Sequence, residues 1–249
     1  TTALLNTKIQ QRLSVIQMLW GELEIIKGLK LRLQGSYYPF QVHQYSYNPS
    51  ILPKSQKEGI GGQAGRSEID SYALSTENTL NYKFKLKKYH NFDLLAGITA
   101  YSYKDNTLNA SGSGYVDDKL KWNNLAGVQD KNTYSVSTSS SEKKKMSYLG
   151  RMNYNYKSRY YFTFTGRFDG ASNFAANKKW GFFPSGALKW NVSKEEFLKK
   201  VDWIDELAFR LSAGRTGNDA IGTYQSLEAM TTTSGGYLFN GSQPAAYYR

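Results

Sequence analysis

The chain contains no cysteine, which excludes a disulfide framework, thiolate zinc sites and cysteine nucleophiles. It has only 5 prolines in 249 residues, so little interrupts long extended segments. No window approaches the ~18 unbroken apolar residues of a transmembrane helix. That excludes a helical membrane protein and leaves a barrel open, because barrel strands hide their apolar residues in alternation. Histidine is scarce as well: His43 and His90 are the only two, and no triad or metal cluster assembles around them. Acidic residues are in deficit, 20 against 32 basic, for a net charge of +12. The basic residues are dispersed, with one run at Lys143-Lys144-Lys145 and pairs at Lys87-Lys88 and Lys199-Lys200. A solvated or headgroup-facing distribution accounts for that better than a phosphate-tracking patch, so nucleic acid is not an expected partner.

Aromatic residues are abundant: 20 Tyr, 12 Phe and 5 Trp make up 15% of the chain, although the mean hydropathy is −0.59. Such side chains suit strands, and Tyr and Trp suit membrane interfaces where one end of the ring is wet. They recur with period 2. Met146, Tyr148, Gly150, Met152, Tyr154 and Tyr156 alternate with Ser147, Leu149, Arg151, Asn153 and Asn155. Phe162, Phe164, Gly166 and Phe168 alternate with Thr163, Thr165, Arg167 and Asp169, and Phe182, Pro184, Gly186, Leu188 and Trp190 with Phe183, Ser185, Ala187 and Lys189. The same rhythm runs through Leu29 to Tyr37, Leu80 to Leu86, Phe92 to Ala100 and Leu207 to Ala213, and more faintly through Leu19 to Ile25. This predicts about eight strands of roughly 8–14 residues, near the length a tilted strand needs to cross a bilayer. The fold class is therefore all-β, a transmembrane antiparallel β-barrel.

Connection lengths strengthen the reading. Short turns at Lys27-Gly28, Lys87 to His90 and Lys157 to Arg159 alternate with polar stretches at 39–70, 104–144 and, more modestly, Gly170 to Lys179. Outer-membrane barrels pair short periplasmic turns with long extracellular loops, so 39–70 and 104–144 are expected to be extracellular loops. The connection Ser193 to Glu206 carries Ser193-x-x-Glu196, a capping-box spacing that predicts a short helix. No leader pattern follows Thr1-Thr2-Ala3, and the alternation puts both ends outside. The expectation is a portion, about a third, of a larger closed barrel, since an open sheet edge is not tolerated in lipid.

The run from Ser147 to Tyr160 (Ser-Tyr-Leu-Gly-Arg-Met-Asn-Tyr-Asn-Tyr-Lys-Ser-Arg-Tyr) resembles the barrel signature of the SusC/RagA family of TonB-linked outer-membrane proteins. So do Arg167-Phe-Asp-Gly-Ala-Ser-Asn-Phe174, Lys179-Trp-Gly-Phe-Phe-Pro-Ser185, Trp190-Asn-Val-Ser-Lys-Glu-Glu-Phe197 and Leu211-Ser-Ala-Gly-Arg-Thr-Gly-Asn218. The likeness covers residues 147–225. Glu24 to Lys30, Glu77 to Leu80 and Leu94 to Gly97 agree more loosely, and residues 39–70 and 104–144 match nothing in the pattern. The resemblance implies a barrel of roughly 22 strands around a plug domain, of which this chain would supply about eight strands. It also implies a Gram-negative outer-membrane location, among lipid and lipopolysaccharide. A SusD-like surface lipoprotein would cap the lumen, TonB would supply energy through the absent plug, and the cargo would be glycan, with peptide as the other option.

Other constellations carry no chemistry. Gly59-x-Gly61-x-x-Ala64 has no strand before it and no helix after it, so it is not a dinucleotide fingerprint and no cofactor is expected. Asp117-Asp118 lacks the spaced ligands of a cation loop, so no metal is expected, and Glu195-Glu196 is consistent with a helix start. No nucleophile–base pairing suggests an enzyme. Gly166, Gly186 and Gly214 sit inside strands, where bending or close approach is served, and Pro184 belongs at a strand start or bulge. Arg167, Asp169 and Lys189 are expected to face a watery lumen, because Arg or Lys at the bilayer midplane costs roughly 2–4 kcal/mol. Tyr45, Tyr47, Tyr115 and Trp122, set among polar loop residues, are candidate cargo contacts, since sugar rings stack on aromatics; loop self-packing is the alternative. The rival function is a soluble β-sandwich or adhesin-like sugar-binding protein. There Phe162, Phe164, Phe168, Leu188 and Trp190 would face a second sheet.

Overall fold

A computed structural model describes residues 5–115, 117–128, 131–198 and 203–225, together with the backbone of 230–232, 238–239, 243–244 and 246–248. The strands are β1 (Thr7–Ser14), β2 (Gln17–Ile26), β3 (Leu29–Asn48), β4 (Gly62–Leu86), β5 (His90–Tyr115), β6 (Ser135–Tyr156), β7 (Tyr160–Ala171), β8 (Trp180–Asn191) and β9 (Ala208–Gly214). One short helix, α1, spans Pro53–Glu58. Among the described residues nine strands form one sheet in the order β1-β3-β4-β5-β6-β7-β8-β9, with β2 also paired to β3. Met230–Thr232 pairs with Ala246–Tyr248, and Leu238–Phe239 with Gln243–Pro244, as separate two-stranded ladders.

All eight strands read from alternation are present, as β2 to β9. The polar stretches differ from expectation. Residues 39–48 and 62–70 are strand, leaving 49–61 as the connection, and residues 104–115 and 135–144 are strand likewise. Backbone pairing needs no apolar face, so a ladder continues through Ser- and Thr-rich sequence where alternation gives no sign of it. β1 was not anticipated either. It pairs with the far end of β3 from Thr7↔Tyr47 to Ser14↔Phe40, and the ladder breaks beside Pro39, whose carbonyl accepts from Val15 N–H at 3.3 Å.

The chain divides into two compact units. The first holds residues 5–23, 32–78 and 100–142 of those described. Its core is small: Tyr47, Ala64, Tyr115 and Val128 are buried, with Trp122 and Leu125 packed on them. α1 begins on Pro53, whose missing N–H costs nothing at a helix start, and ends on Gly59 in the left-handed region (φ 64°).

The second unit holds residues 24–31, 79–99 and 143–249 of those described. Three short turns join its strands. At Lys27-Gly28, Gly28 has φ 84° and a Cβ there would strike the Lys83 carbonyl oxygen, so only glycine fits. The Gly28 carbonyl accepts from Lys83 N–H at 2.8 Å. At Lys157-Ser158-Arg159 two non-glycine residues take positive φ (52° and 56°), steadied by Ser158 N–H donating to Asn155 Oδ1 at 2.8 Å. Among the described residues no α-helix starts at Ser193. Two 3₁₀ turns, Val192–Lys194 and Glu196–Leu198, stand there instead, and Ser193 Oγ bonds Asn191 Oδ1 rather than capping.

Candidate functional site

The registers of β6 to β9 define two faces, because directly paired residues of an antiparallel ladder lie on the same side. One face reads across the strands as rows: Tyr156-Tyr160-Trp190-Phe209, then Tyr154-Phe162-Leu188-Leu211, then Met152-Phe164-Gly186-Ala213. Gly150-Gly166-Pro184, Tyr148-Phe168-Phe182 and Met146-Gly170-Trp180 complete it. No charged side chain falls on these rows. The outermost rows are ten residues apart on β6, about 33 Å of extended chain. Tilted as barrel strands are, this covers roughly the 25 Å apolar band of an outer-membrane wall. Aromatic rings concentrate at both ends. Phe168 stacks on Trp180 at 4.9 Å between centroids at one end. Tyr156, Tyr160 and Trp190 lie at the other, where His90 sits 4.9 Å from Tyr156 and shares a 2.8 Å hydrogen bond with the Tyr154 hydroxyl. Phe84, Phe92 and Tyr154 carry the ring stack onward to β4 and β5 at 5.0 and 4.9 Å.

These large apolar side chains are exposed: Phe164 by 43%, Leu188 by 54% and Leu211 by 72%. Only eight apolar side chains are buried among the described residues. A water-soluble protein does not leave a continuous patch of this kind uncovered. A sandwich would lay a second sheet over Phe164 and Leu188, and no described strand does so.

The opposite face is polar and charged. Thr163 donates to Asn153 at 2.9 Å, Arg167 donates to Asp169 at 2.6 Å and to Ser147 at 3.3 Å, and Lys189 reaches Glu206 at 3.5 Å. Arg167, Asp169 and Lys189 therefore lie away from the apolar rows, as expected. Pro184 lies within β8, where its carbonyl accepts from Arg215 N–H at 2.9 Å just beyond the end of β9. Its missing N–H thus faces the place where that ladder stops. A Cβ on Gly214 would come 2.8 Å from Ser185 Cβ, whereas one on Gly186 meets nothing nearer than 3.8 Å; close approach is needed at the first and not at the second. A concavity of about 680 Å³ opens on this polar face beside Arg167, Phe183 and residues 215–219.

The connection after β8 does work its sequence does not advertise. Glu195, read as helix-start chemistry, accepts from the Tyr160 hydroxyl at 2.7 Å, from Trp190 Nε1 at 3.0 Å and from Arg159 at 3.0 Å, while Glu196 takes the other guanidinium nitrogen at 2.6 Å. The Tyr160 bond first, then that of Trp190, holds the Glu195 carboxyl below its ordinary range. The residues involved lie up to 37 positions apart, so no local motif betrays them.

In the first unit the four candidate aromatics separate into two pairs. Tyr47 and Tyr115 are 1% and 3% exposed and meet edge-on at 6.0 Å. The Tyr47 hydroxyl donates to Asp118 at 2.6 Å, and Ser50 adds backbone and hydroxyl bonds at 3.1 and 3.0 Å. Burial, then the bond to Asp118, raises the Tyr47 phenol well above its usual value. Burial works against the Asp118 charge, yet the Tyr47 and Ser50 bonds outweigh it and keep that carboxyl low. Asp118 is thus a structural anchor. Tyr45 and Trp122 form the other pair, half-buried and stacked at 5.8 Å, with Arg66 over Tyr45 and Lys121 over Trp122. Of the four, only these two present part of a ring outward.

A sheet with one hydrocarbon face, aromatic borders and a solvated opposite face is the wall of a membrane β-barrel. No family model matches the chain. It is 34% identical over 204 residues to TonB-dependent receptor P3 of Formosa agariphila, an alignment covering 82% of this chain and 20% of that protein. To TonB-dependent receptor SusC of Bacteroides thetaiotaomicron it is 49% identical over 77 residues, 31% of this chain and 8% of the receptor. The RagAB peptide transporter superposes with a TM-score of 0.87 at 22% identity, over 99% of this chain and 27% of the transporter chain. The chain belongs to the SusC-like TonB-dependent receptors, as a segment of their outer-membrane β-barrel. It spans about a fifth of the length of the Formosa relatives it matches.

Proposed function

We propose that this chain forms part of the wall of an outer-membrane nutrient importer. The importer takes up oligosaccharides with energy delivered by TonB and works with a SusD-like lipoprotein at its mouth. The observation that carries the reading is the uncharged row pattern on β6–β9, from Met146-Gly170-Trp180 to Tyr156-Tyr160-Trp190-Phe209. It is joined by the sequence likeness to named TonB-dependent receptors. Strands of 25 and 26 residues at β4 and β5 exceed the 9–11 needed to span lipid. Their surplus, with the connections 49–61 and 116–134, serves the extracellular side. The stacked pair Tyr45–Trp122 is the surface there best suited to a sugar face, and Tyr47 and Tyr115 act by holding that surface in shape.

Spin labels at positions 164 and 165 of the full-length receptor in liposomes test the placement. Position 164 should be relaxed by dissolved oxygen and 165 by a water-soluble nickel chelate. Equal access of the chelate to both positions defeats the wall reading. Uptake tests the activity: cells lacking the receptor gene should lose growth on an oligosaccharide that wild-type cells import. If growth persists on every oligosaccharide but fails on peptides, the cargo is peptide.

A further inference from the structure

The concavity beside Arg167 is lined by five basic side chains and two acidic ones. The acidic pair is already engaged. Asp169 takes Arg167 at 2.6 Å, and Asp219 takes Lys145 and, at 3.3 Å, Lys143. Three cations remain with no ion-pair partner among the described residues: Lys178, Lys179 and Arg215. They enter from two different segments, the β7–β8 connection and the stretch after β9.

Both segments are fixed. The Asn173 side chain is 2% exposed and donates to the Asp219 and Ile221 carbonyls at 3.0 and 2.9 Å. Lys143 Nζ donates to the Asp219 carbonyl at 3.2 Å. Ser172 and Lys144 exchange two bonds of 2.9 Å. The loops thus hold like charges around one cavity, an arrangement that is unfavourable while empty and that a concave wall turns into a focus for anions.

The floor adds Phe183 and the hydroxyls of Ser147, Thr165 and Ser185. Extended peptides are commonly recognised by backbone pairing at an open sheet edge. Here the floor is a sheet face whose ladders β6–β7–β8 are already paired. Aromatic, hydroxyl and cationic groups on a closed face suit a ring that carries both hydroxyls and a carboxylate.

We propose that this concavity is a cargo subsite for acidic oligosaccharides, built of uronic-acid units. Lys178, Lys179 and Arg215 pair with the carboxylates, and Phe183 receives a ring face. The subsite deepens the importer reading and rests on it for the word cargo. Its test is titration of the purified full-length receptor in detergent with a tetrameric oligogalacturonate, a neutral malto-oligosaccharide of the same length and an oligoglutamate peptide. The oligogalacturonate should bind best, and its affinity should fall with rising salt. Lys178→Gln, Lys179→Gln and Arg215→Gln should each weaken it by about five- to tenfold, the scale of one net hydrogen bond, and the triple variant should abolish it. All three positions are exposed, so the variants should keep the wild-type heat-induced gel shift of a folded barrel.

Three outcomes overturn the subsite: oligogalacturonate binding changed less than twofold in the triple variant, neutral oligomer bound equally well, or oligoglutamate alone showing the sensitivity. Binding that behaves as stated, in a receptor whose deletion leaves growth on every oligosaccharide and peptide intact, keeps the anion subsite and removes the importer reading instead.

Discussion

The two units solve the same problem in opposite ways. Around Tyr47 and Tyr115 the protein covers its own rings, and the hydroxyl–carboxylate pair Tyr47–Asp118 is completed by Ser50. Along β6 to β9 the rings at Phe164, Phe168 and Trp190 are left uncovered and the charges gather on the other side. The first arrangement is what water demands and the second what hydrocarbon demands. One chain holds both, so stability in each unit should answer to different perturbations.

The largest expected effect breaks the second arrangement alone. Phe164→Arg places a guanidinium in the apolar rows and should cost about 2–4 kcal/mol. Thr165→Arg, one residue along, should cost no more than about 1 kcal/mol. Denaturant titration of the full-length receptor folded into liposomes measures both. Similar losses would erase the distinction between the faces.

Next in size is the Asp118 anchor. Asp118→Ala leaves the Tyr47 hydroxyl and two Ser50 donors without their acceptor, and should cost about 1–3 kcal/mol. The loss should appear as faster proteolysis or hydrogen exchange in 116–134, with exchange in β7 and β8 unchanged. Glu195→Gln should act in the reverse place. It weakens the hold on Arg159, Tyr160 and Trp190, visible as a shift in Trp190 emission in a background where every other tryptophan is replaced, with protection of 116–134 untouched.

Smaller effects follow from pH. The Asp118 and Asp219 carboxyls are held below their ordinary range, the former by the Tyr47 and Ser50 bonds against the cost of burial, the latter chiefly by Lys145. A depressed folded-state pKa means the stabilisation is present above the unfolded value, near ~3.9, and is lost as pH falls through the folded value. Proteolytic resistance of 116–134 should therefore be flat from neutral pH down to about 4 and decline below it, and Asp118→Asn should remove that decline. The smallest effect is Gly186→Ala, which adds a methyl on the apolar face whose nearest neighbour is the Thr163 carbonyl oxygen at 3.8 Å, an ordinary contact, and should change stability by less than about 0.5 kcal/mol. A large loss there would mean that something other than lipid lies against it.

The same contrast explains what the amino-acid sequence disclosed. β2 to β9 were legible because one side meets grease and the other does not, and Phe162 to Phe168 or Leu188 to Trp190 carry that asymmetry residue by residue. Residues 39–48, 62–70, 104–115 and 135–144 are strand as well, yet stretches such as Ser135 to Ser141 are polar on both sides and look like loop. Of the four aromatics singled out, the burial of Tyr47 and Tyr115 depends on partners up to 71 positions away, Asp118 foremost. The grip of Glu195 on Arg159, Tyr160 and Trp190 was hidden for the same reason, and its local context suggested an α-helix where the described residues form two 3₁₀ turns. Lys178, Lys179 and Arg215 looked like ordinary surface charge until two separate segments brought them to one hollow.

The registers of β6 to β9 carry one more consequence. In any pleated ladder a slip of one residue exchanges the two sides. Here such a slip along β8 would trade Leu188 for Lys189, and along β7 Phe168 for Arg167. Each misaligned hairpin would drag cations into oil and be rejected on insertion. The membrane thus acts as a proofreader during assembly, discarding shifted pairings that a purely aqueous folding route would let survive.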